Sequence, residues 1–215
     1  MADTSARPSH APDFDDDATW TPWTPEQATT HLQGIKASDG RSIRWAVAGG
    51  WAIDLHLGRQ TRDHDDLEIV VLNDDVQAVL DAFANTHWQW KVPVGSQLHP
   101  LNSPAYTESH QTWLWSKTSD AFVLDVFREM HDGAIWICRR DPTMTKPWPA
   151  VVRMSASSVP YLAPEIVLLF KAKHARSKDL ADLTTVLPSL NGTQRDWLRA
   201  AIEQVHPNHN WLRRI

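Results

Sequence analysis

The stretch "VAGGWAIDLHLGRQTRDHDDLEIVV", Val47 to Val71, decides how this chain is read. Two glycines close an apolar run, and a second apolar run carries two acidic residues, Asp66 and Glu68, separated by one leucine. In a strand, residues two apart project to the same side. Asp66 and Glu68 then share one face while Leu67 and Ile69 turn to a core. Two carboxylates at close range repel, and burying either without a partner is costly. A solvated edge strand would remove that cost. So would a divalent cation, since Mg²⁺ takes oxygen ligands from carboxylates and completes its shell with water and phosphates.

Working outward, Ile43 to Ala48 reads as a strand, Gly49-Gly50 as a turn, and Trp51 to Leu57 as a short helix ending at Gly58. Glycines allow close backbone approach, and the helix N-terminus beyond them offers free N–H groups to an anion such as a phosphate. The lysine of a P-loop and the third glycine of a dinucleotide fingerprint are both missing. Further on, "FVLDVFRE" places Asp125 among Phe122, Val123, Leu124, Val126 and Phe127. That carboxylate also needs a partner, and a site shared with Asp66 and Glu68 would supply one. Three carboxylates around Mg²⁺ and a nucleotide suit phosphoryl or nucleotidyl transfer.

The rest of the chain sets bounds on this reading. Its 215 residues, 42% hydrophobic and 22% charged, suit a soluble globular protein of one large or two modest domains. No apolar stretch approaches the roughly 20 residues that span a bilayer, and the N-terminus lacks the basic start and apolar segment of a secretory signal. One cysteine, Cys138, excludes an internal disulfide and a Cys-rich metal site, and a cytoplasmic location is expected. A net charge of −5 argues against sequence-independent nucleic-acid binding. The twelve tryptophans include the pairs Trp88/Trp90 and Trp113/Trp115, which at strand spacing are either core packing or an aromatic ligand wall.

Residues 1–18 combine Pro, Ser and an acidic run and are expected as a disordered or loosely attached tail. Thr24, Pro25 and Gln27 have the pattern of a capping box that opens a helix. Leu67 to Leu72 reads as a strand, followed by a helix from Asn73 or Asp74 to about Ala84. Trp88 to Val94, Thr112 to Lys117, Ala121 to Arg128 and Ala134 to Arg139 read as strands, with a turn at Asp132-Gly133. The Pro-rich passage Thr143 to Val159 reads as a hinge or linker. Helices are expected over Pro164 to Arg176, Ser177 to Leu187 and Thr193 to Val205. The division that follows is a mixed α/β catalytic domain over 19–155 and a helical region over 156–215.

Gly-Gly-Trp, a spacer, then Arg62-x-His64-x-Asp66-x-Glu68 resembles the signature of the nucleotidyltransferase superfamily, which has a third acid on a later strand, here Asp125. The branch it is similar to is that of the small antibiotic nucleotidyltransferases, the aminoglycoside 2″-type and lincosamide enzymes. Gly49 to Asp54, Gly58 to His64 and "YLAPEIVLLFKAKHARSKDLADL" (161–183) carry the likeness.

The resemblance implies an α+β fold: a mixed sheet with flanking helices, then a helical C-terminal portion. It implies one or two Mg²⁺ ions held by Asp66, Glu68 and Asp125, with Asp125 also a general base. It also implies ATP as the donor, Gly49 and Gly50 against its triphosphate, and a small-molecule hydroxyl, that of an aminoglycoside or lincosamide, as the acceptor. Arg62 is either a phosphate ligand or one half of a structural ion pair, and His64 either an orienting hydrogen-bond partner or a ligand. Lys171 is expected to reach the β/γ-phosphates, on a helix face shared with Ala175, Lys178 and Asp182 that leaves Lys173 elsewhere. The acceptor pocket is expected between Trp88 to Trp115 and the C-terminal helices. Toxin-type relatives that modify tRNA or protein, and a non-catalytic nucleotide-binding module, are the alternatives.

Overall fold

The structure, a computed structural model, describes residues 18–215, so all but the last residue of the expected tail lies outside it. Eleven short strands follow one another along those residues. They are β1 (Trp45–Val47), β2 (Glu68–Leu72), β3 (Trp88–Val94), β4 (Gln97–Pro100), β5 (Gln111–Ser116), β6 (Ala121–Glu129), β7 (His131–Asp132), β8 (Ile135–Ile137), β9 (Thr145–Pro147), β10 (Val152–Met154) and β11 (Pro160–Leu162). Eight of them form a mixed sheet in the order β10-β11-β1-β2-β6-β5-β3-β4, and β7-β8-β9 form a small second sheet. This is the mixed sheet with flanking helices that the sequence implies.

Around it lie α1 (Pro25–Leu32), α2 (Gly49–Leu57), α3 (Asn73–Ala82), α4 (Ala105–Glu108), α5 (Trp148–Val151), α6 (Pro164–Ala172), α7 (Ser177–Val186) and α8 (Gly192–Val205). The capping box at α1 is present: the Gln27 N–H donates to Thr24 Oγ1 at 3.3 Å, and the Thr24 N–H donates to Gln27 Oε1 at 2.8 Å. Gly58 ends α2 in the left-handed conformation, φ 67°. No helix among the described residues is long and apolar enough to cross a membrane.

Two expectations need correction. The Pro-rich passage is not a linker: it holds β9, α5 and β10, and β10 pairs with β11 through Val152–Leu162, Arg153–Tyr161 and Met154–Pro160. Its prolines are tolerated because Pro147 sits on an edge strand and Pro149 in the first turn of α5, where no ladder or helix N–H is needed. The expected boundary at 155/156 therefore falls in the turn of a hairpin whose far strand pairs with β1. One hydrophobic core runs from Trp23 through Val47 and Leu124 to Leu168, Ile202 and Trp211, across that boundary.

The second correction concerns α6, which stops at Ala172 rather than Arg176. Ala175 has φ 45°, and α7 begins afresh at Ser177. Of the two readings of Trp88/Trp90 and Trp113/Trp115, core packing is the one that holds. Trp90, Trp115, Trp136 and Trp211 are buried, and Trp88 meets Trp23 edge-on with ring centroids 5.4 Å apart. The strand β4 and the short helix α4 had no expected counterpart.

Candidate active site

β2 lies beside β6 in parallel, with Glu68 directly opposite Asp125. Both strands are central and buried on both faces, as their nearly continuous apolar sequences require. β1 lies on the other side of β2, and α2 springs from its end. The Ala48 N–H donates to the Glu68 carbonyl at 2.8 Å, and the Asp125 N–H donates to the Leu67 carbonyl at 2.9 Å. The expected acids are thus brought to one end of adjacent strands. Asp66, however, belongs to the loop before β2 and not to the strand itself.

Gly49 has φ 60°, and a Cβ there would overlap Glu68 Oε2. No other residue could begin the helix so close to that carboxylate. At Gly50 a Cβ would collide with Arg62 Nη2 and the His64 ring. α2 therefore starts at the glycines rather than after them, and no side chain caps its first N–H groups. Those groups are free for an anion.

The carboxylates repel one another. Burial, and then the charge of Asp66, pushes Glu68 up to about 7, while Lys171, Arg139 and Arg176 pull it the other way. Burial and Glu68 raise Asp125 well above the ordinary range, against the Gln111 amide. Asp125 Oδ2 accepts from Gln111 Nε2 at 2.8 Å, while its Oδ1 is buried and without a partner. Trp113, opposite Asp125 in register, likewise has a buried indole N–H without a partner.

Among the described residues no three acidic, histidine or cysteine side chains converge as a closed metal cage. That departs from the expected ring of three carboxylates: like charges push apart, and Asp125 turns one oxygen to Gln111 instead. The donor set is nonetheless all oxygen, and the orphaned Asp125 Oδ1 beside a repelled Glu68 fits a hard divalent cation.

In front of Glu68 opens a cleft of about 350 Å³. Gly49, Glu68, His110, Gln111, Phe127, Arg139, Arg140, Phe170, Lys171, Lys173 and Arg176 line it, whereas Gly50, Asp66 and Asp125 do not. Of the residues expected to meet nucleotide, Gly49 and Lys171 line it. Arg62 does not: its Nε and Nη2 donate to Asp182 at 3.2 and 3.3 Å, the structural ion pair of the two readings. Lys171 is also paired, 2.9 Å from Asp182 and 3.4 Å from Asp179, and Asp179 in turn accepts from Arg176. His64 is an orienting residue, with Nε2 2.6 Å from Asp54 Oδ2 and its ring 4.5 Å from Trp51. Asp54 also accepts from the Thr61 N–H at 3.1 Å and so holds the loop locally.

Sequence reading missed most of the basic wall. Arg139 is held by Glu129, which also accepts from Trp136 Nε1 at 2.7 Å, and its guanidinium lies 4.1 Å from the Phe170 ring centre. Arg140 follows it in sequence. Lys173, expected off the functional face, also lines the cleft, at the C-cap of α6 with its backbone still helical. From the expected β-rich acceptor region it is His110 and Gln111 that reach the cleft, not the tryptophans. The available signals were the double arginine closing an apolar strand and the basic spacing of "FKAKHARSK".

Two solved structures of ANT(2″)-Ia share this architecture: the solution structure of that antibiotic-resistance factor (17% identity, 85% of this chain and 94% of that chain, TM-score 0.56) and the crystal structure with adenylyl-2″-tobramycin (16%, 84% and 97%, 0.56). The chain has the nucleotidyltransferase fold. Residues 32–100 match the aminoglycoside-2″-adenylyltransferase family model. A 2″-aminoglycoside nucleotidyltransferase from Klebsiella pneumoniae is 46% identical over 43 residues, 20% of this chain and 24% of that protein. One from Escherichia coli is 49% identical over the same length. The chain thus covers about a quarter of these relatives. The matched region 32–100 contains the glycine turn and the acidic pair of this nucleotidyltransferase fold, but neither Asp125 nor the basic wall.

Proposed function

We propose that this chain is a nucleotidyltransferase that moves a nucleoside monophosphate, AMP from ATP, onto a hydroxyl of a small molecule. The observation that carries this reading is Glu68, set beside Asp125 at the uncapped start of α2 and lining one cleft with Lys171, Arg139 and Arg176. A carboxylate for a counter-ion and several cations in one cleft are what a triphosphate and its counter-ion require. The likeness of residues 32–100 to aminoglycoside adenylyltransferases supports the transfer chemistry and puts aminoglycosides in the acceptor panel beside other hydroxyl compounds.

In this reading Asp66, Glu68 and Asp125 would hold Mg²⁺, which when bound neutralises phosphate oxygens and relieves the repulsion among the acids. The N–H groups of Gly49 and Gly50 approach the triphosphate where any side chain would collide with Glu68, Arg62 or His64. Lys171, Arg139 and Arg176 meet its negative charge. Asp125 accepts the proton of the acceptor hydroxyl. The acceptor oxygen then bonds to the α-phosphorus in line as the bond to the bridging oxygen breaks, and pyrophosphate leaves with the electron pair. Most of the acceleration comes from positioning and charge neutralisation.

The test is transfer of label from α-labelled ATP to an acceptor panel in Mg²⁺, beside Asp66→Ala and Asp125→Ala. Loss of about 10²-fold or more is expected for each variant. Both variants matching the wild type would sink the mechanism.

A further inference from the structure

The cleft carries more positive charge than its acidic end engages. Lys171, Arg139 and Arg176, the cations that act most strongly on Glu68, are each already paired with a carboxylate: Asp182, Glu129 and Asp179. Arg140 and Lys173 also line the cleft, and no carboxylate of the described residues lies within ion-pair distance of either. Arg140 Nε is buried without a partner, as are Arg139 Nε and His206 Nε2, but Arg139 has Glu129 on its other nitrogen. A half-buried guanidinium beside another guanidinium, with a donor unspent, is costly until an anion meets it.

The neighbouring histidines report the same field. Partial burial, and then Arg139, Arg140, Arg128 and Lys173, push His110 at the cleft mouth down to about 4. Burial, then His209, Arg140 and Lys173, lower His206. The acidic residues Asp63, Asp65 and Asp66 do not offset this, because none of them lines the cleft and Asp65 lies 3.6 Å from Lys178.

Resting on the nucleotidyl-transfer reading, we infer that Arg140 and Lys173 form an anion subsite beside the triphosphate site, and that the hydroxyl acceptor carries a phosphate group. The paired cations nearest Glu68 serve the nucleotide, and the unpaired two serve the acceptor. A polycationic acceptor would meet like charge on this wall, which rejects it more strongly than a neutral surface would.

The test uses the full chain with saturating Mg²⁺ and α,β-methylene-ATP, titrated in a calorimeter with glucose 6-phosphate, a short RNA with a free 3′-hydroxyl, and tobramycin. One of the two anionic probes is expected to bind, which also assigns the source of the phosphate. In Arg140→Ala/Lys173→Ala that binding weakens by about tenfold or more, while affinity for the nucleotide analogue barely changes. Lys173→Ala alone, at an exposed position, shows a smaller loss and guards against a folding artefact.

Three results overturn the inference: tobramycin binding more tightly than both anionic probes, no binding of either anionic probe, or a double variant that loses the analogue as severely as the probe. Failure of the analogue to bind defeats the nucleotide reading separately. Titration of the nucleotide-free protein with the same probes then decides the subsite.

Discussion

Replacing Glu68 by glutamine should make the free protein more stable, not less. Glu68 titrates at about 7 instead of its ordinary 4.5 because burial and Asp66 oppose its charge. Moving a titration midpoint by one pH unit takes about 1.36 kcal/mol, so the ionised side chain costs on the order of 3 kcal/mol above pH 7. The sign follows from proton counts. Between pH 4.5 and about 7 the folded chain holds a proton that the unfolded chain has released, so stability falls as pH rises through that window. Glutamine keeps the shape and removes the charge, and it also relieves Asp125.

In chelator at pH 8, Glu68→Gln should gain about 1–3 kcal/mol in urea denaturation, with less pH dependence between 4.5 and 7 than the wild type. Added Mg²⁺ should stabilise the wild type and leave the variant nearly unchanged, and transfer activity should be lost. A variant less stable than the wild type in chelator at pH 8 would refute the reasoning, because the carboxylates would then be supporting the fold rather than straining it.

Other outcomes follow from single positions. Gly49→Ala places a Cβ on Glu68 Oε2 at a left-handed backbone position, so a loss of about 2 kcal/mol or more is expected by thermal melting, together with loss of transfer. Arg62→Ala leaves buried Asp182 with Lys171 as its remaining partner and should cost about 1–3 kcal/mol in urea denaturation, with ATP affinity changed far less than in Lys171→Ala. Asp75 feels burial pushing it up, but hydrogen bonds from Arg41 and Arg44 prevail and hold it at about 2. That contribution is present above the ordinary 3.8 and is lost as pH falls towards 2. Asp75→Asn should therefore lose about 2 kcal/mol at pH 7 and flatten acid unfolding in that range.

What can be read from the sequence is whatever local chemistry dictates. Thr24-Pro25-x-Gln27 caps α1, Gly58 ends α2, and the apolar runs around Glu68 and Asp125 are strands because alternation and burial leave no other use for them. The register that sets Glu68 against Asp125 is legible only as a shared site, since strand pairing over such a separation depends on the whole sheet. Illegible are the features fixed by long-range packing. Pro-rich residues 143–159 look like a linker because proline lacks a donor, yet edge strands do not need one. Lys173 looks misplaced because helical spacing alone does not show that the cleft spans more than one face of the end of α6, which Lys173 caps with a helical backbone. Arg139 and Arg140 read as ordinary charges, because it is the distant Glu129 and Phe170 contacts that aim one of them into the cleft.

The position of β1 between β2 and β11 sets an order of events on the ribosome. The strand that launches the glycine turn gains its first partner from residue 68 onwards, but its second only from the segment around Tyr161. A nascent chain halted near residue 155 would expose one side of β1 as an unpaired edge beneath the future nucleotide site, open to pairing with another chain. A fragment ending after β6 would contain Asp66, Glu68 and Asp125 and still lack the strand that covers this edge.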